Sequence, residues 1–157
     1  MHKIWFVLGE FHPILNHFPI VLLTLVFGLD IVKIFTKKNY YSIAKRALLL
    51  AVFFFIPTLI TGLLAAQSYA STNHVMILHR TLAFITLGIT LIHAAFRYYA
   101  DIKLKTRWKR YFILFSFINI VFIGATSEEG GLLAYGKTIF QHLDINLDSI
   151  LHIPVAK

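Results

Sequence analysis

The chain contains no cysteine. Disulfides, thiolate metal centres, cysteine-held iron–sulfur clusters and thioether-attached haem are therefore excluded. Acidic residues are scarce, 7 Asp and Glu against 15 Lys and Arg, for a net charge of +8. No activated nucleophile and no acid–base pair is visible, so hydrolase or transferase chemistry finds no support. No small-residue cleavage site follows the first apolar stretch, which is too long for a signal peptide and reads as a retained span. Any metal or haem must be held by nitrogen or oxygen, and 8 histidines supply the nitrogen.

What fills the chain instead is apolar sequence. Of 157 residues, 58% are hydrophobic, above the half expected of a soluble domain. This excess falls in blocks. A bilayer core needs about 20 apolar residues per helical span, so four spans account for nearly the whole chain and leave no second domain. The blocks predict spans over about 13–35, 47–66, 75–96 and 111–126, followed by a tail, 127–157. The expected fold is all-α: a four-helix transmembrane bundle. The tail has no run long enough to span. Its Gly130-Gly131-Leu132-Leu133-Ala134-Tyr135-Gly136 stretch reads as a turn back against the helix ends.

The positive charge carries topology. The segments 33–46 and 97–110 hold eleven of the fifteen basic residues. The positive-inside rule sets both in the cytoplasm, which puts both termini, the 67–74 loop and the tail on the outer face. The expected setting is a bacterial inner membrane, with lipid as the first partner. The charge does not mark a nucleic-acid module; it is spent on two short loops against anionic headgroups.

Topology then brings histidines together. Spans one and three run the same way. His12 and His17 open span one, and His74 and His79 open span three, so all four fall at one level near the outer interface. Imidazole inside a membrane is costly and is turned toward the bundle interior. It is also the commonest nitrogen ligand of metals and haem iron. Small residues follow on the same faces: Thr24 and Gly28 below His17, and Ala83, Thr86, Thr90 and His93 below His79. They fit a macrocycle, although taken alone they fit close helix packing better. His93 lies about 21 Å from His79 along the helix, near the inner interface, where no second histidine can meet it. It reads as a polar partner of Asp30 or Arg97. Arg80 suits a lipid phosphate or a haem propionate, and Glu10 sits at the interface. His2, His142 and His152 read as surface residues, and Tyr135 as an interfacial anchor.

The opening His12-Pro13-Ile14-Leu15-Asn16-His17-Phe18-Pro19-Ile20 resembles a family of small bacterial membrane domains, catalogued as domain of unknown function twenty-two thirty-one, whose mark is His-Pro, three residues, then His-Phe-Pro-Ile. Asp30, Thr61-Gly62-Leu63, His79 and the segment with Gly130, Gly131, Tyr135 and Gly136 extend the likeness over nearly the whole chain. The tail departs from the pattern, because Tyr135 abuts Gly136 with no histidine between them. Some members of that family are fused to c-type cytochrome domains, which implies electron-transfer traffic at the outer face.

Three functions follow as expectations. The first is a haem-b electron-transfer module with His17 and His79 as axial ligands and His12 and His74 in reserve, relaying electrons between quinol and a periplasmic cytochrome. The second is a copper or zinc binding or transport protein using the same four histidines. The third is a non-catalytic subunit of a larger respiratory complex.

Overall fold

A computed structural model describes residues 7–36, 40–68, 73–103 and 111–136. Four long helices carry them: α1 His12–Thr36, α2 Tyr41–Ala65, α3 His74–Lys103 and α4 Phe112–Tyr135, with a short 3-10 turn, Ala66–Ser68, after α2. All four are long and apolar enough to cross a membrane. The helices run up and down in sequence. α1 packs on α2 and α4, and α3 packs on α4 and α2, so α1 and α3 face each other across the diagonal of a square. With neighbouring axes 8–10 Å apart, the diagonal is roughly 11–14 Å. Side chains, not backbone, must bridge it.

The molecule is polar inside and apolar outside. Asp30, Thr58, Thr61, Thr86, Thr90, His93, Arg97, Ser116, Asn119 and Thr126 are buried, while Ile14, Val21, Phe53, Ile60, Ile92, Leu114 and Phe117 are exposed. In water this distribution would be unstable, whereas in lipid it is the expected one, because acyl chains are as apolar as leucine and the bundle gains by pairing its polar groups internally. A smaller apolar core, with Leu23, Val26, Leu48, Ala51, Phe55 and Ile123, fills the middle.

Two prolines lie inside helices, Pro19 in α1 and Pro57 in α2. Pro19 has no N–H to offer the carbonyl four residues back. That carbonyl, Leu15 O, is met instead by Thr58 Oγ1 from α2 at 3.1 Å, a hydroxyl shared with Phe54 O at 2.8 Å. The helix break thus becomes a link between helices.

The helices outrun the apolar blocks. α2 starts at Tyr41, not 47, because Tyr41 and Ala44 keep its buried face going. α3 continues beyond 96 because Arg97 and Ala100 do the same. The larger correction is at the end of α4. The Gly130–Gly136 stretch is not a turn over the helix ends. The helix runs through Glu128, Glu129, Gly130 and Gly131 to Tyr135. It stops at Gly136, whose φ of 68° is left-handed and whose N–H bonds Leu132 O at 3.0 Å, the usual glycine stop. At the start of α3, Asn73 Oδ1 caps the helix by accepting from Met76 N–H at 3.1 Å. The 137–157 part of the tail lies outside the described residues, as do His2, His142 and His152.

Candidate functional site

At one end of the bundle two imidazoles meet across the diagonal. The ring centres of His12 on α1 and His79 on α3 are 6.2 Å apart, with planes at 84°. Each ring is held by a carbonyl of the helix beside it. His12 Nδ1 donates to Thr58 O on α2 at 3.0 Å, and His79 Nδ1 donates to Thr126 O on α4 at 2.9 Å. A carbonyl only accepts, so both rings carry their proton on Nδ1. Both therefore leave the Nε2 lone pair open, the arrangement in which histidines bind metals.

Glycine makes room for each ring. A Cβ added at Gly62 would sit 2.8 Å from His12 Cε1, and one at Gly130 would sit 3.1 Å from His79 Cε1. Gly130 is helical, so a close approach rather than a turn explains it. A cavity of about 550 Å³ adjoins the pair, lined among others by His12, Asn16, His17, Gly62, Met76, His79, Gly131 and Tyr135. Its size lies within the usual range of cofactor and ligand pockets. Arg80 lines an adjoining cleft with His12 and His79.

From this pair a ladder of buried polar groups descends the bundle. Thr126 and Thr86 share a hydroxyl bond at 3.0 Å, and Thr90 Oγ1 donates to Thr86 O at 2.7 Å. The Asn119 side-chain amide bridges Thr90 Oγ1 at 2.8 Å and His93 Nδ1 at 3.1 Å. His93 Nε2 accepts from Arg97 Nε at 2.9 Å. Arg97 Nη2 then pairs with Asp30 Oδ2, which also accepts from Ser116 Oγ at 2.5 Å. Tyr41 OH donates to Arg97 O at 2.6 Å, and the guanidinium lies 4.7 Å over the Phe112 ring. Each of the four helices contributes to this lower cluster. Both His93 nitrogens are engaged, so His93 has no lone pair left for a metal.

The other expected ligands lie apart. The His17 ring is exposed, and its Nδ1 turns back to Pro13 O at 2.5 Å. It lines the cavity edge, but the imidazole against His79 is that of His12. His74 is exposed at the first residue of α3, and Arg80 is exposed a few residues on. Thr24, expected below His17, is exposed too, with its hydroxyl on Ile20 O. Among the described residues, no group of three or more His, Asp or Glu side chains is close enough to hold a metal ion.

The signal that separates His12 from His17 was present in the chain. A buried charge fixes the phase of its helix. From Asp30, the positions on its face at helical spacing are 26, 23, 19, 16 and 12, and Pro19, Leu23 and Val26 are indeed the buried ones. His12 is about five whole turns from Asp30, whereas His17 is turned by roughly 140° from that face.

Residues 10–141 match the family described as "Predicted membrane protein (DUF2231)". No curated protein and no solved structure matches the chain.

Proposed function

The chain belongs to that family of predicted membrane proteins, and we propose on this premise that it is a haem-b electron-transfer module in which His12 and His79 would hold the haem iron. The observation that carries the reading is the pair itself: two imidazoles from diagonal helices, each with Nδ1 on a carbonyl and Nε2 open. Two imidazoles bonded to one metal at about 2 Å per nitrogen have ring centres roughly 6 Å apart, and these lie at 6.2 Å. A bare zinc site takes four ligands, and no such cluster exists among the described residues. A macrocycle that brings its own four nitrogens needs only the two that are here. The residues therefore fit haem better than a free copper or zinc ion.

When bound, haem would supply one-electron chemistry at a potential set by its axial ligands and surroundings. The chain's own part is positional. Thr58 O and Thr126 O orient the rings and raise their basicity. Gly62 and Gly130 keep the space behind them clear. Arg80 is placed to offset a propionate carboxylate. Among the described residues the lower cluster offers no second pair of open imidazoles, so electrons would be exchanged at the His12–His79 end.

That face is the outer one on the charge pattern. The basic segments 33–46 and 97–110 belong to the Asp30–Arg97 end, which the positive-inside rule directs to the cytoplasm. His12 and His79 then face the periplasm of an inner membrane. The redox partners would be a lipid-soluble quinol and a periplasmic cytochrome, either directly or within a larger respiratory complex.

The test is purification in detergent from haem-replete cells, with an absorption spectrum and a haem and metal assay. The expected result is a Soret band that is lost in His12→Ala and His79→Ala and kept in His17→Ala. A colourless protein, or one that loses haem only with His17→Ala, would overturn the assignment. Stoichiometric copper or zinc without a Soret band would move it to metal binding.

A further inference from the structure

We propose that the Asp30–Arg97 ion pair is a positioning device that sets the height at which His12 meets His79, at the far end of the bundle. The proposal rests on the imidazole pair and not on the identity of what that pair holds. Asp30 follows His12 by 18 residues on α1, and Arg97 follows His79 by 18 residues on α3. At 3.6 residues per turn this spacing is about five whole turns, or ~27 Å. On each helix the charged residue and the histidine therefore share one face. Because the two helices run in the same direction and the two spacings are equal, the register that joins Asp30 to Arg97 also joins His12 to His79. A slip of one turn, about 5.4 Å, breaks both contacts together.

α1 and α3 are diagonal and pack mainly on α2 and α4, so ridge-and-groove packing does not fix their relative height directly. In lipid no hydrophobic force sorts one register from the next, and specific polar contacts decide it. A buried ion pair is a poor source of net stability, because desolvation of both charges offsets their attraction; register is its best-attested use. This one is also tied to the remaining helices, by Tyr41 OH to Arg97 O from α2 and by Ser116 Oγ to Asp30 from α4. The ion pair and its partners thus fix all four helices at one level, and equal spacing transmits that level to the imidazoles.

The chain has no cysteine, so introduced thiols are the only ones. In the full chain in detergent, H12C/H79C is treated with a short bis-maleimide, and N16C/H79C reports a one-turn slip. Each pair is read with and without D30L/R97M, which removes both charges while keeping bulk. L15C/T58C reports the α1–α2 contact and hence an intact bundle. The expected result is that D30L/R97M keeps the 15–58 link but lowers the ratio of 12–79 to 16–79 linking at least tenfold, whereas D30E keeps the wild-type ratio. An unchanged ratio in an intact bundle overturns the proposal. Loss of the 15–58 link overturns it too, because the pair would then be needed for assembly and not for position. The readout uses no cofactor. A colourless protein with the expected ratios would sink the haem reading and leave the positioning role standing; a haem protein with indifferent ratios would do the reverse.

Discussion

Gly62→Ala separates ring placement from stability. The added methyl would lie 2.8 Å from His12 Cε1 and 3.1 Å from Nδ1. The methyl is fixed to the helix backbone, so the imidazole must yield, by at least the 0.6 Å between 2.8 Å and the 3.4 Å at which ordinary contact begins. Two effects on stability oppose each other. Replacing glycine by alanine inside a helix favours folding by about 1 kcal/mol. Losing the His12 Nδ1 bond to Thr58 O costs about 1 kcal/mol, and Thr58 O keeps the Thr61 hydroxyl at 3.1 Å, so no buried acceptor is orphaned. The net change should lie within ~1 kcal/mol of zero. Site geometry is less forgiving, because a binding group must be held within about 0.5 Å of its productive position. Haem bound per chain should fall at least tenfold while the unfolding midpoint barely moves. Gly124→Ala is the control, since an added Cβ there meets nothing within 4 Å; it should raise stability by about 1 kcal/mol and keep the spectrum. The assay is unfolding by circular dichroism in mixed micelles, with haem quantified on the same samples and the His12 imidazole followed by nitrogen NMR. An unshifted ring and full haem content in Gly62→Ala would refute the reasoning, as would haem loss in Gly124→Ala.

Further outcomes follow from the same geometry. Asn119→Leu should destabilise the bundle by about 1–3 kcal/mol, because His93 Nδ1 and Thr90 lose the amide between them and a buried polar group is left unmatched; denaturant titration in mixed micelles reads it. Thr58→Val should cost about 0.6–1.7 kcal/mol by freeing Leu15 O opposite Pro19, and a double-mutant cycle with Pro19→Ala should show the two effects coupled, since restoring the N–H at 19 gives Leu15 O its own partner. Gly136→Ala should cost about 1–2 kcal/mol at its φ of 68°, seen as fraying of the last turn of α4 in hydrogen exchange.

Local chemistry determined much of this protein. Four apolar blocks in a short chain without thiols require a helical membrane bundle, because backbone N–H and C=O groups in lipid must pair within their own segment. Two basic segments make its ends unequal. The same pattern set His79 at one end of its helix, and Asp30, His93 and Arg97 together near the other. The boundaries were harder to read, because hydropathy falls at the first charge while the buried face runs on, as at Tyr41, Arg97 and Gly130.

The phase set by Asp30 puts His12 and not His17 on the buried face of α1, but only the tertiary structure set that face against His79. Hydropathy ranks His12 and His17 alike; they differ in angle about the helix axis, and that angle matters only once another helix is opposite. The diagonal placement of α1 and α3 is likewise invisible in either segment alone. It arises when four helices share out their buried polar groups, and it makes side chains the only bridge across the centre. Equal spacings of 18 residues on two separate helices were written in the chain, but they acquire meaning only when Asp30 and Arg97 touch. Charge and hydropathy act through each residue's own transfer energy, whereas pairing depends on partners far away in sequence, and only the folded bundle supplies them.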